Sequence, residues 1–114
     1  MNQINNHEIS LQTAIDMTKR YRANRHANYP VCETFEIAAV TKLIATEGCA
    51  SLRVYYGMKE NTNVDVLLVA VNAAGEDILP PSTLVAVSTE DAIILEDGYR
   101  CPDVCPTDSP LNVD

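Results

Sequence analysis

The chain has 114 residues, 46% of them hydrophobic, and its 16 acidic and 8 basic side chains give a formal charge of −8. This length is typical of one domain, and the apolar content is that of a chain that folds around a core. The negative charge repels phosphate backbones, so we expect no nucleic-acid partner. One basic cluster stands out, and we interpret it as a solvated helix face: Lys19, Arg20, Arg22, Arg25 and His26.

The N-terminal sequence MNQINNHEIS lacks both the basic start and the apolar segment of a secretion signal. No apolar run approaches the roughly 20 residues that cross a bilayer. We therefore predict a cytoplasmic protein with no membrane partner. Because cysteines stay reduced in that compartment, we expect four free thiols rather than a disulfide framework.

Two helices are predicted in the first half of the chain. A mobile lead over residues 1–8 is followed by a helix at about 10–25, with Ser10 as its N-cap. A second helix is predicted at about 35–47, with Glu33 or Thr34 as its cap. Gly48 suits the left-handed conformation that closes a helix.

Two strands are predicted next, at residues 51–58 and 64–72, joined by the polar turn 59–63. The second strand is apolar on both faces, which is typical of a central strand. Alternation in the first strand places Arg53 and Tyr55 on one face. The opposite face carries Leu52, Val54 and Tyr56, and we assign Tyr56 to the core.

The last third of the chain is interrupted by prolines. Pro80 and Pro81 exclude a regular central strand at that point. Short strands are predicted at 84–87 and 92–95, and an irregular, proline-rich arm at 99–114. The predicted fold is thus α+β in a single domain over 1–114 with its core at 9–98. In it, two N-terminal helices pack on a small, mainly antiparallel sheet of three or four strands.

Several sequence segments together resemble a family. These are CETF at 32–35, GC at 48–49, RVYYGM at 53–58, EDILP at 76–80, and GYRCPDVCP at 98–106 followed by SPLN. In this combination the chain resembles a group of small uncharacterised bacterial proteins, found mostly in Bacteroidetes, over roughly residues 10–112. The resemblance implies a bacterial, stand-alone domain and carries over no functional residue.

The cysteines of the CPDVCP segment are the most chemically suggestive feature. Cys101 and Cys105 could bind a metal, form a disulfide or redox pair, or remain structural thiols, and these alternatives stay open. Cys32 and Cys49 could complete a four-sulfur zinc site. Their separation by a whole helix argues against such a site, and favours two small buried hydrophobic side chains. We predict no cofactor.

Acidic pairs are the other candidates for chemistry. Glu60 with Asp65, or Glu96 with Asp97, could act as general acid and base if burial raised one pKa. Solvated turn residues are the favoured interpretation. The chain has no phosphate-binding loop, dinucleotide fingerprint or Gly-x-Ser-x-Gly motif. These observations favour a protein that is not an enzyme.

The face of the first strand that carries Arg53 and Tyr55 is the predicted binding surface, because these residue types are enriched at interaction hot spots. The alternative is that Tyr55 packs under the first helix. We predict a non-catalytic interaction or small-ligand-binding module, with a homodimer through an exposed strand edge or the arm, or an unidentified protein partner. The competing hypothesis is a thiol-dependent protein that uses Cys101 and Cys105 for metal binding or redox chemistry.

Overall fold

A computed structural model describes residues 6–84 and 87–113 of the chain. The chain divides into two compact units, one formed by Met1–Ala27 with Pro106–Asp114 and the other by Asn28–Cys105. Within the described ranges, no helix is long and apolar enough to cross a membrane.

The first unit contains helix α1, Leu11–Asn24, and a 3-10 helix, Pro110–Asn112. Ser10 is the N-cap of α1, as predicted, and its hydroxyl accepts a hydrogen bond from the Thr13 N–H at 3.0 Å. The Arg22 guanidinium donates to the carbonyl oxygens of Leu111 and Val113, at 2.5 Å each. These contacts join the helix to the C-terminal segment of the same unit.

The second unit contains one helix and two antiparallel sheets. The α+β class is therefore confirmed. Strands β2, β3 and β4 are neighbours in that order, β5 also pairs with β3, and β1 pairs with β6. The elements are β1 (Cys32–Thr34), α2 (Ile37–Ile44), β2 (Ser51–Met58), β3 (Val64–Val71), β4 (Asp77–Ile78), β5 (Ile94–Leu95) and β6 (Tyr99–Cys101).

The β2–β3 hairpin agrees closely with the predicted strands, because its alternation is visible locally. The end of β3 carries most of the core. Residues 68–71 are all buried, which confirms a central strand covered on both faces. Leu43 of α2 is fully buried against Leu68 and Ala70, and α2 contacts β3 and β5. The partly buried side chains around this cluster are Phe35, Cys49, Ile93 and Leu95.

The start of α2 differs from the prediction. Glu33 and Thr34 do not cap the helix, because both lie in β1, paired with Arg100 and Tyr99 of β6. That pairing joins segments distant in sequence, so no local pattern reveals it. Gly48 has φ +85°, as predicted, although the helix itself ends at Ile44.

The C-terminal part also differs from the prediction. The prediction that residues 99–114 form an irregular arm is wrong at its start, because Tyr99–Cys101 forms β6. The predicted strand at 92–95 is reduced to Ile94–Leu95. Of the predicted strand at 84–87, Val85 and Ala86 lie outside the described residues. Strand β4 ends at Ile78, before the two prolines.

Candidate functional site

The backbone N–H and C=O groups of successive β2 residues point alternately toward β3 and away from it, so the strand has an inner and an outer edge. The Lys59 N–H donates to the Asn63 carbonyl at 2.9 Å, at the turn end of the β2–β3 ladder. Because hydrogen-bonded positions alternate along an antiparallel pair, Gly57, Tyr55 and Arg53 bond to β3. The backbone groups of four other β2 residues therefore point away from β3, and we call this side the open edge: Leu52, Val54, Tyr56 and Met58.

The side of β3 that faces away from β2 is closed along its whole length, and we call it the closed edge. The Val64 N–H donates to the Asn28 carbonyl at 2.9 Å, and the Val66 N–H donates to Glu33 Oε1 at 3.1 Å. Further along, Leu68 pairs with Leu95 of β5. Two more pairs, Ala70 with Ile78 and Val71 with Asp77, bring in β4. Four separate pieces of chain thus cover one edge.

The open edge has no such cover. Among the residues that the structure describes, β2 pairs with β3 alone, and no hydrogen bond reaches the outward N–H groups of the open edge. The same four residues place apolar side chains on one face, and these are largely exposed: Leu52 by 44%, Val54 by 47%, Tyr56 by 79% and Met58 by 67%. Assigning Tyr56 to the core is therefore wrong. The alternation of side chains shows on which face of the sheet a residue lies, but not how much of that face is covered by the rest of the chain.

Arg53 and Tyr55, the predicted binding surface, are joined to Asp77. Arg53 Nη1 lies 2.6 Å from Asp77 Oδ1, and the Tyr55 hydroxyl donates to the other carboxylate oxygen. Because β3 lies between β2 and β4, both side chains reach across its face. Val69 and Val71 of that face are each 3% exposed. The hydrogen bond to Asp77 raises the pKa of Tyr55. The polar groups of this surface already have partners, and its role in binding stays a prediction.

A charged cluster lies near the turn end of β3. Asp65 is 5% exposed, and its carboxylate lies 3.4 Å from Lys59 Nζ and 3.7 Å from Arg100 Nε. Lys59 Nζ is also within 3.3 Å of Glu96 and 3.1 Å of Asp97. Glu96 and Asp97, one of the two predicted acidic pairs, therefore both form ion pairs with Lys59.

Glu33 is the functional candidate that the sequence did not reveal. Burial raises the pKa of its carboxyl to about 7, and a hydrogen bond with Asp65 contributes. That bond also lowers the pKa of Asp65. Glu33 Oε2 is buried without a hydrogen-bond partner, so a proton on this carboxyl would supply a donor for Asp65. Glu33 Oε1 accepts a hydrogen bond from the Val66 N–H, so the Glu33 side chain covers part of the closed edge of β3.

Three of the four cysteines lie in or beside the β1–β6 pair. Cys101 and Cys105 form a disulfide with Cα atoms 4.6 Å apart, and Cys32 lies directly opposite Cys101 in the ladder. The expectation of reduced thiols is therefore wrong for Cys101 and Cys105. A turn in which the Val104 N–H donates to the Arg100 carbonyl at 2.8 Å brings these two within disulfide range.

Cys49 lies apart from the other cysteines, packed against the core cluster, with its thiol 3.4 Å from the Ser51 carbonyl oxygen. Across the described ranges, no three or more histidine, cysteine or acidic side chains are grouped so that they could hold a metal ion.

No protein family, curated protein or solved structure matches the chain. The resemblance to the group of small bacterial proteins stays a prediction.

Proposed function

We propose that the protein is a non-catalytic interaction module that pairs the open edge of β2 with the open edge of a second copy. The observation that carries the proposal is an eight-residue edge strand whose outer side, among the described residues, is unpaired and whose outward-facing residues are apolar and exposed. Long, flat, apolar edges readily pair with further strands, and native proteins blunt them unless they are used. Two-fold pairing of two such edges satisfies the backbone groups of both copies.

The sequence of β2 suits pairing with itself. In an antiparallel pair centred on Tyr55, Val54 of one copy lies opposite Tyr56 of the other, and Leu52 lies opposite Met58. These are the residues whose backbone groups point outward, so they supply the hydrogen-bonded positions of the new ladder. Their side chains share one face, and aromatic pairs with β-branched residues are favourable cross-strand contacts. One continuous apolar stripe would then extend across both copies.

The charge distribution also favours a second copy. The chain carries a formal charge of −8, yet Arg53 is the only charged residue between Ser51 and Met58. In the centred pairing Arg53 lies opposite Gly57, so neither two guanidinium groups nor two carboxylates face each other. The guanidinium is already paired with Asp77. The open edge is therefore a nearly neutral strip on an acidic protein, and repulsion between the remaining charges is screened by salt.

The test is a dilution series by size exclusion with light scattering, over roughly 1 to 500 µM in chains, around the affinity of a weak to moderate dimer. We expect wild type to change from dimer to monomer mass as it is diluted. Val54→Lys places a charge in the apolar stripe twice per dimer. We expect it to weaken association about 100-fold, which corresponds to roughly 2.7 kcal/mol.

Leu84→Lys is the matched control, because Leu84 is 91% exposed in the loop that follows β4 and does not belong to β2. It introduces the same charge into the same type of apolar site, and we expect it to leave the dimer intact. Wild type that is monomeric throughout the series would contradict the proposal. So would an equal loss of association in both lysine variants, because the effect would then come from net charge rather than from the edge.

A further inference from the structure

The β1–β6 ladder brings a free thiol against a disulfide. Cys32 and Cys101 are directly paired, and Cys32 is free whereas Cys101 is bonded to Cys105. Directly opposite residues in an antiparallel pair have Cβ atoms about 4.5 to 5.5 Å apart. A disulfide has Cβ atoms about 3.5 to 4.5 Å apart. A shift of about one ångström therefore allows Cys32 to bond to Cys101 in place of Cys105.

The three cysteines differ in their access to solvent. Cys101 is 2% exposed, Cys32 is partly buried, and Cys105 is exposed. Cys105 is therefore the solvent-exposed member of the disulfide, whereas Cys101 is surrounded by its neighbours within the protein. Cys32 is the neighbour placed across the ladder from it. Cys101 is thus the cysteine that two different partners can share.

We propose that Cys32 and the Cys101–Cys105 disulfide form an intramolecular thiol–disulfide exchange site that presents Cys105 as a free thiol. In the exchange, the Cys32 thiol loses its proton to water and the thiolate attacks the Cys101 sulfur. The Cys101–Cys105 bond breaks as the Cys32–Cys101 bond forms, and the Cys105 thiolate leaves with the electron pair and takes a proton from water. One disulfide and one of the three thiols remain, so the step needs no oxidant.

The surroundings of Cys32 predict how the exchange rate responds to pH. Burial raises the pKa of the Cys32 thiol, and the charge of Glu33 adds to this. The facing strand β6 contributes Arg100, opposite Glu33, and Tyr99, opposite Thr34. Because the thiolate is the attacking species, exchange is slow near neutral pH and becomes faster in alkaline solution.

The sequence makes the two disulfide isomers easy to distinguish. Cleavage after lysine and arginine places Cys32 in peptide 26–42, Cys49 in 43–53, and both Cys101 and Cys105 in 101–114. The Cys101–Cys105 bond therefore stays within one peptide, whereas a Cys32–Cys101 bond joins two. Further cleavage before Asp103 separates Cys101 from Cys105 and identifies which of them is bonded.

The experiment starts from full-length protein oxidised with oxidised glutathione, which is then removed. Samples are held at about pH 6.5 and about pH 8.5, below and near the ordinary thiol pKa. Free thiols are alkylated before digestion, and the peptides are identified by mass spectrometry. Cys32→Ser removes the attacking thiol. Cys49→Ser removes the remaining free thiol, which lies outside the ladder, and is the matched control.

We expect peptide 26–42 to become joined to 101–114 through Cys101, with the alkyl label on Cys105. This species should accumulate at least tenfold faster at the higher pH, in wild type and in Cys49→Ser, and should be absent from Cys32→Ser. Label confined to Cys32 and Cys49 at both pH values, with Cys101–Cys105 intact, would overturn the proposal. Failure of any intramolecular disulfide to form during oxidation would also overturn it.

Discussion

The two edges of the β2–β3 hairpin have opposite environments. The closed edge of β3 is covered by Asn28, by the Glu33 side chain, and by the short strands β5 and β4. Among the described residues, the open edge of β2 has no cover, although it is equally long and mainly apolar. A chain that closes one edge with four separate pieces has the means to protect the other. On our proposal, the open edge is kept for association with a second copy.

Proline substitutions at neighbouring positions of β2 should distinguish the two edges of the strand most strongly. Tyr55→Pro removes an N–H that bonds to β3, and we expect it to cost roughly 3 kcal/mol of folding free energy or more. Val54→Pro removes an N–H of the open edge, so the monomer should lose only about 1 kcal/mol while the dimer is lost. Urea unfolding and light scattering measure the two effects. Equal destabilisation of the monomer by both prolines would refute the assignment of the edges.

Alanine in place of each of two glycines measures how tightly the structure packs beside the core cluster and on the strand of the open edge. A Cβ on Gly98, just beyond β5, would lie 2.8 Å from the Phe35 ring, which packs against the core cluster. We expect Gly98→Ala to cost about 1 to 3 kcal/mol, as overpacking does.

Gly57 on β2 is the matched position. A Cβ there would lie 2.7 Å from the end of the Leu67 side chain, which can rotate away, so Gly57→Ala should cost less than about 1 kcal/mol. Thermal or urea unfolding of both variants provides the measurement. A larger loss of stability at Gly57 than at Gly98 would show that the surroundings of Gly57 are the more tightly packed.

The Asp77 contacts tie β2 to β4 across the face of β3, and their contribution can be measured on two adjacent tyrosines. Tyr55→Phe removes the hydroxyl that donates to Asp77, and we expect a loss of about 1 kcal/mol. Tyr56→Phe makes the same change on a ring that is 79% exposed, where the effect should stay within about 0.5 kcal/mol. Unfolding at concentrations that keep the protein monomeric separates this effect from association. Equal losses would mean that the hydroxyl bond contributes nothing.

Glu33 should make the stability of the protein depend on pH. Its pKa is raised from 4.5 to about 7 in the folded protein, so the folded state binds the proton more tightly than the unfolded chain. This stabilisation is complete below about pH 4.5 and is lost as the pH rises through about 7. The pKa of Asp65 is lowered, so its contribution to stability is present near neutral pH and is lost only when the solution is made more acidic.

Glu33→Gln keeps an oxygen for the Val66 N–H and a donor for Asp65 but cannot ionise. We therefore expect its melting temperature to change less between about pH 5 and about pH 8 than that of wild type. Glu60→Gln, in the exposed turn, is the control and should follow the wild-type profile. A wild-type profile that is already flat over this range would contradict the raised pKa of Glu33.

Sequence reasoning succeeded where the signal is local. The Ser10 cap, the β2–β3 hairpin and the left-handed Gly48 depend on neighbouring residues, and each is present. It failed where distant segments meet. The β1–β6 pair joins Cys32 to Cys101, and the acid beside Asp65 comes from β1 rather than from the adjacent turn. The spacing of the two cysteines in CPDVCP was compatible with a disulfide, among several alternatives. It could not show that Cys32 lies opposite this disulfide, because Cys32 is distant in sequence.

Amide hydrogen exchange of β2, followed residue by residue by NMR at high and low protein concentration, is the most direct test of pairing through the open edge. We predict that the inward amides of Arg53, Tyr55 and Gly57 are protected at both concentrations. The amides of Leu52, Val54, Tyr56 and Met58 should be protected only when the protein is concentrated, and should exchange rapidly after dilution. Rapid exchange of these four amides at every concentration, including conditions in which the protein has dimer mass, would contradict association through the open edge.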